Sequence, residues 1–247
     1  MKFFCWIKLL ILSICLAGVM SCSKDGGSCL TNTGPVITQE RITSEFDSIN
    51  VNEYVNVILT QDTINSVRVE AGKNIINGIS TEVTDRTLFV HNNNQCNWLR
   101  SYNSPINVYL SVRNLRKIYY NSSGNITTTN PITTPTLWVD GWGGCGTIDL
   151  ELNIDVGTFI QHMGTADFKL RGKCKVSSIH AGDFGLFECR EMETAYSFVR
   201  NEGSNDCYIK VTKYLDATIG SIGSIYYRGS PDTINIYIHG SGVVEPF

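Results

Sequence analysis

The chain has 247 residues, 42% of them apolar and 17% charged, with a net charge of −3. There is no basic excess to grip a phosphate backbone, so a nucleic-acid protein held by phosphate contacts is excluded. Ordinary apolar content with low charge also excludes a disordered chain, and the length suffices for one large or two small cores.

Residues 1–21 read as an address. Lys2 and Lys8 flank the start of a short apolar stretch, Leu9 to Met20, too short for a spanning helix and typical of a secretory signal. Val19-Met20-Ser21-Cys22 resembles a bacterial lipobox, with an aliphatic residue at −3 and a small one at −1. Ile14 is too bulky to make Cys15 the rival site. The resemblance implies that Cys22 becomes a lipidated N-terminus, held to the membrane by two or more acyl chains. Processing removes two of the 20 basic residues and none of the 23 acidic ones, leaving a net charge of −5. Ser23-Lys24-Asp25 is faintly similar to the surface-export signals of Bacteroidetes lipoproteins, with one acid where those carry two. The expected location is the outer membrane, facing outward, with its periplasmic face as the alternative. Residues 22–37, with Gly26, Gly27, Gly34 and Pro35, read as a tether.

Six cysteines remain beyond the leader and Cys22: Cys29, Cys96, Cys145, Cys174, Cys189 and Cys207. Export permits disulfides, but no spacing suggests a zinc site or C-x-x-C chemistry. No metal and no cofactor is expected.

Residues 38–114 read as an N-terminal all-β part. Ile49–Val51, Val55–Leu59, Val67–Val69, Leu88–Val90 and Ile106–Leu110 alternate or run apolar, each bounded by polar or turn residues. Residues 91–104 form a polar, Asn-rich insert. Asn74–Gly78 lacks caps and reads as a turn or bulged strand.

Residues 115–247 repeat. Small residues at Gly124, Gly146, Ala166, Gly185, Asn205, Gly223 and Gly242 are spaced by 22, 20, 19, 20, 18 and 19. Two places after each stands an apolar residue: Ile126, Ile148, Phe168, Phe187, Cys207, Ile225 and Val244. Four places after stand Leu150, Leu170, Cys189, Ile209 and Tyr227, with Thr128 and Pro246 as exceptions. Six places before stand Ile118, Ile160, Ile179, Val199, Ala217 and Ile236, and Asp140 breaks that column, which suggests a register one residue off in the second coil. A small residue that tolerates positive φ suits a tight corner. One such unit cannot bury its apolar face alone, whereas stacked units align those faces into inward columns. The expected fold class is therefore all-β, a β-helix or β-solenoid of about seven coils of about 20 residues. A β-sandwich of evenly spaced hairpins is the alternative and explains seven near-equal intervals less well.

The outward positions three after each corner hold Asp149, Lys169, Glu188 and Tyr208, a charge ladder on a stacked face. Read as a hydrolase pair, Asp149 and Glu188 would stand two coils apart, but Lys169 lies between them and would neutralise both. Neither a strained Gly-x-Ser-x-Gly turn nor a phosphate-cradling loop is present. The chain does not read as an enzyme.

Trp138 and Trp142 fall in the second coil, with Tyr119 and Tyr120 in the first. Exposed aromatic rings on a stacked face suit glycan binding, since sugar rings pack on flat apolar surfaces. In the competing reading Trp138 fills the core and Trp142 covers its end. Tyr226 and Tyr227 share that ambiguity, with Tyr227 on an inward position. His162, His180 and His239 precede corners and read as corner-side polar residues rather than metal ligands. Cys189 and Cys207 point inward in neighbouring coils, offset by one pleat repeat, and read as free thiols. Asp47-Ser48-Ile49, Asp62-Thr63-Ile64 and Asp232-Thr233-Ile234 resemble the O-glycosylation sequon of Bacteroidetes exported proteins. That likeness implies acceptor hydroxyls on Ser48, Thr63 and Thr233.

The chain resembles the family described as "putative auto-transporter adhesin, head GIN domain", across roughly residues 40–247. The likeness rests on Phe46–Ile49 through Val55–Gln61, on Val67–Glu70 with Asn74 and Leu88–Val90, on the Ser123-Gly124 and Gly240–Gly242 corners, and on Tyr227–Pro231. It departs at Ala166 and Asn205, which replace the corner glycine, and at the Trp-rich coil Trp138–Cys145. The resemblance implies a right-handed β-helix after an N-terminal all-β part, and no established enzymatic activity.

The expected function is a non-enzymatic, lipid-anchored envelope protein presenting a repetitive β face to glycan or protein. A periplasmic structural or accessory protein is the second reading, and a β-helix carbohydrate-active enzyme the third. Solenoid ends are open edges, so end-to-end self-association is expected unless Glu245-Pro246-Phe247 blunts one end.

Overall fold

In a computed structural model, residues 32–95 and 105–247 are described. The expected leader, Cys22, Cys29, Cys96 and most of the Asn-rich insert lie outside the described residues. The described residues are mostly strand, with one short 3-10 turn at Ile76–Gly78.

The second half is built as its repeat demands. After β8 (Lys117–Ser122) and β9 (Ile126–Thr128) come five long strands. They are β10 (Ile132–Gly144), β11 (Thr147–Gly164), β12 (Asp167–Ala181), β13 (Phe187–Asn201) and β14 (Cys207–Ile219). Each pairs with the next in parallel. The start of β11 lies on β9, while its end lies on the end of β10, which itself lies on β8, so one strand spans most of a circuit. β15 (Ile225–Arg228), β16 (Thr233–Ile238) and β17 (Val244–Pro246) complete the stack. The result is a β-solenoid of about six turns.

The inward columns hold with one correction. Val57, Ile126, Ile148, Phe168, Phe187, Cys207 and Ile225 stack in register, all fully buried. Phe168 and Phe187 lie face to face, their ring centroids 4.5 Å apart. The column six before the corner runs Ile49, Ile118, Val139, Phe159, Ile179, Val199 and Ala217. Val139 and Phe159 thus replace the expected Asp140 and Ile160. Seven residues, not six, lead from Val139 to Gly146 and from Phe159 to Ala166, so the second and third coils are one residue longer before the corner and Asp140 and Ile160 fall on the outward alternation.

The corners also differ from expectation in their physics. The repeated corner glycines are not the positive-φ glycines, which are Gly34, Gly143, Gly164, Gly172 and Gly229. Glycine at the corner serves close stacking: a Cβ on Gly146 would strike the Gly124 carbonyl of the coil beneath and the Tyr120 hydroxyl.

The N-terminal strands join the same stack. β2 (Ser48–Glu53) pairs in parallel with β8, and β3 (Asn56–Gln61) with β9. On their other side β2 pairs with β6 (Thr87–Asn92) and β3 with β7 (Asn107–Val112). The sheet therefore runs on across residue 115 around one continuous core. Partners such as Asn56 and Asn125 are 69 residues apart because the chain leaves β3, builds the layer below, and returns. Antiparallel strands close that lower end: β5 (Ile79–Thr84) on β6, β4 (Ser66–Gly72) on β7, and β1 (Val36–Arg41) on β4. Ile75, Ile76 and Ile79 are buried there.

Candidate functional site

Outward alternation of β10 puts Trp138, Asp140 and Trp142 on one face. Trp138 and Trp142 are 40% and 47% exposed, so neither fills the core. Four residues of strand separate them by about 13 Å. Lys117 and Tyr119 of β8 stand beside Trp138 and Asp140 on one side, and Thr158 and Ile160 of β11 on the other.

The rings are held. The Lys117 ammonium sits 4.1 Å from the Tyr119 ring centroid and 5.0 Å from that of Trp138, a cation–π brace on both. Trp142 stacks on His162 with centroids 3.9 Å apart. His162 Nε2 in turn lies 2.9 Å from Asp140 Oδ1, close enough for an ion pair when the imidazole is protonated. A groove of about 460 Å3 opens beside Trp138, lined by Asp47, Arg116, Lys117, Thr136, Val156 and Thr158 among others.

Asp47 closes one wall of this groove. Its carboxylate lies 2.8 Å from Arg86 Nε and 3.7 Å from Arg116. Burial would raise its pKa, but hydrogen bonds from Arg86 and Ser48 and the charges of Arg86 and Arg116 together hold it below the ordinary value of 3.8. The Arg86 carbonyl accepts from the backbone of Asp47 and Ser48, and the Asp47 carbonyl accepts from Arg116 N–H. Three layers meet at this joint.

Tyr120 departs from the expected aromatic face. It is 1% exposed and turned inward, so it belongs to the corner rather than to a surface. Its hydroxyl donates to the Gly124 carbonyl at 2.6 Å and accepts from Gly146 N–H at 3.0 Å. Higher in the same column Gln161 and Asn201 repeat that service: each is fully buried and donates to the carbonyl of its own corner. Burial pushes the Tyr120 hydroxyl well above its usual pKa, so it remains a neutral donor.

The outward ladder Asp149, Lys169, Glu188 and Tyr208 is in register as expected. Its acids are neutralised by arginines: Arg171 of the next strand pairs with Asp149, and Arg190, two residues on, pairs with Glu188 at 3.0 Å. His180 faces Glu202 at 3.1 Å. Among the described residues no group of three or more His, Cys, Asp or Glu is placed to hold a metal ion. Cys145 is exposed, while Cys174, Cys189 and Cys207 are buried, all four with free thiols. Cys189 lies opposite Ile209 and Cys207 opposite Phe187, the one-pleat offset read from the sequence. Burial raises the Cys174 pKa to about 12.

Of the three sequon hydroxyls, Thr63 lies exposed on the bend after β3, and Thr233 is exposed at the start of β16. Ser48 lies in β2 between two paired strands, with its hydroxyl donating to Asp47. The sequence reading missed Val156, Tyr196 and Phe198, which are 41%, 37% and 43% exposed on outward positions near Trp138's column. Their signal was present: Phe198 shares the outward ladder of Trp138 and Thr158.

The fold recurs in solved structures. A "putative adhesin" of Bacteroides fragilis is 23% identical with a TM-score of 0.80, covering 86% of this chain and 97% of that one. A "putative adhesin" of Parabacteroides merdae is 17% identical, with a TM-score of 0.63 and coverages of 87% and 98%. A "putative lipid binding protein" of Parabacteroides distasonis is 18% identical, with a TM-score of 0.64 and the same coverages. These likenesses concern the fold. No curated protein matches the chain. The family model for "putative auto-transporter adhesin, head GIN domain" matches residues 45–231, which takes in β2 through β15 and the whole aromatic face, and the chain belongs to that family.

Proposed function

We propose that this chain is a lipid-anchored envelope protein that binds glycan at the cell surface through Tyr119, Trp138 and Trp142. The carrying observation is the exposure of both tryptophans on the outer face of a single strand, each ring braced by a neighbour. Apolar rings left in water cost free energy unless a partner covers them. Rings already fixed by Lys117 and His162 lose little freedom on binding, which favours affinity. Their spacing suits an oligosaccharide lying along β10 rather than a single sugar.

The name of the Parabacteroides distasonis structure raises a lipid ligand for the same rings. Glycan is favoured because the adjoining groove sets the hydrogen-bonding Arg116, Lys117, Thr136 and Thr158 beside the apolar Leu137, Trp138 and Val156, the mixture that the hydroxyls and flat faces of a sugar use together. The family supports a non-enzymatic role, as does the pairing of Asp149 and Glu188 with arginines, which leaves neither carboxylate free as a general acid or base. The lipobox at Cys22 supports the anchor.

A glycan array probed with the wild type, Trp138→Ala and Trp142→Ala tests the reading. Retention on a glycan subset, lost by about tenfold or more in either variant, supports it. Retention that survives both substitutions refutes the site, and binding only to acyl-chain vesicles transfers the rings to lipid.

A further inference from the structure

The two ends of the solenoid differ. At the N-terminal end, β1, β4 and β5 run antiparallel across the stack and the core is sealed. At the other end the inward column that is buried from Leu88 through Ala217 finishes in Ile236, which is 45% exposed. Ile238 finishes its column at 52%, above a fully buried Ile219. β16 pairs with β14 on one side, and among the described residues no strand pairs on its other side. The neighbouring edge strand β17 carries Pro246, which cannot donate to a ladder. β16 carries no such block: Thr233-Ile-Asn-Ile-Tyr-Ile238 has no proline, no charge and three β-branched isoleucines, the features of an edge that recruits another strand.

We propose that β16 is the self-association edge of this protein, joining two copies end to end by antiparallel pairing about a two-fold axis at Ile236. Side chains directly opposite in an antiparallel pair share a face. A two-fold axis through Ile236 sets Ile236 against its own copy, Ile234 against the second copy's Ile238, and Asn235 against the second copy's Tyr237. Every isoleucine then faces the joined core and every polar or amphipathic residue faces out. A one-residue slip would put Ile against Asn or Tyr and lose this match. The residue on a two-fold axis meets its own copy, so an uncharged side chain such as Ile236 is what that position requires. At the flanks Thr233 meets the second copy's His239, with Asp232 beside it, an attractive arrangement when the imidazole is protonated.

Ile236, Ile238 and Val243 are 45%, 52% and 39% exposed, an apolar group left open at this end. With the unpaired backbone edge of β16 and the half-buried Ile234 and Val244, these side chains form the open end face that a second copy would cover. A second copy of the chain is the occupant this geometry fits.

Sedimentation of the detergent-solubilised full chain tests the pairing. A concentration-dependent dimer is expected for the wild type and a monomer for Ile236→Lys, which folds normally because position 236 is already half exposed. In a background with Cys29, Cys96 and Cys145 replaced by Ser, Ile236→Cys gains a covalent dimer when two thiols release two protons and give one electron to each of two added copper(II) ions. Asn235→Cys, whose opposite is Tyr237, gains none. A monomeric wild type at every concentration overturns the proposal, as do growth past the dimer and equal cross-linking of Asn235→Cys and Ile236→Cys.

Discussion

Tyr120→Phe removes one oxygen atom from the interior and leaves the packing of the ring intact. That oxygen serves two backbone groups, the Gly124 carbonyl at 2.6 Å and the Gly146 N–H at 3.0 Å, which belong to corners of successive coils. With Tyr120 at 1% exposure, water has no ready route to replace it. Leaving buried polar groups unsatisfied costs about 1–3 kcal/mol. For a domain of this size that lowers Tm by roughly 2–12 °C, at about 2–4 °C per kcal/mol. Tyr119→Phe is the matched control, since the Tyr119 side chain is half-buried on the outer face and the change should stay within about 0.5 kcal/mol. Urea unfolding followed by far-UV circular dichroism reads both, with the midpoint compared at constant m. If Tyr120→Phe unfolds at the same urea concentration as Tyr119→Phe, the corner is not held by the hydroxyl.

Gly146→Ala drives a Cβ into the Gly124 carbonyl and should unfold the protein at a clearly lower urea concentration, whereas Gly141→Ala meets nothing nearer than 3.4 Å and should be tolerated. Equal midpoints would remove close stacking as the reason for glycine at corners. Of the four described thiols, only Cys145 should react with a maleimide in the native protein, with Cys174, Cys189 and Cys207 reacting after denaturation, as read by peptide mass spectrometry. For Asp47 the folded pKa lies below 3.8, so its stabilisation is fully present above 3.8 and is lost as pH falls through the folded value. Asp47→Asn should therefore be less stable than the wild type at neutral pH, and the two melting curves should converge in acid; a constant difference at all pH values would contradict the pairing with Arg86.

The second half was legible because its physics is local. Each corner and the apolar residue two places on recur within one coil, so Ile126 through Val244 could be aligned by counting alone. The same counting failed at Val139 and Phe159, where a single extra residue before the corner shifts the register without changing the hydrophobic pattern, since Ile160 is as apolar as Phe159. The first half hid its coils for a topological reason. β2 and β8 are adjacent layers, yet 69 residues separate Ile49 from Ile118, and no short-range period survives such an insertion. At the candidate site Trp138, Trp142 and Tyr119 lie on the outer face. Tyr120 was misplaced although its signal was present: strand alternation puts it on the face of Ile118, two residues before it on the inward column, and so opposite Tyr119.

Binding at the cell surface requires the folded chain to lie outside the cell, and protease accessibility on intact cells tests that most directly. With an antibody to this chain and a periplasmic marker as control, the surface reading predicts digestion of this chain while the marker survives. Survival of both would place the aromatic face inside the envelope and contradict a surface adhesin.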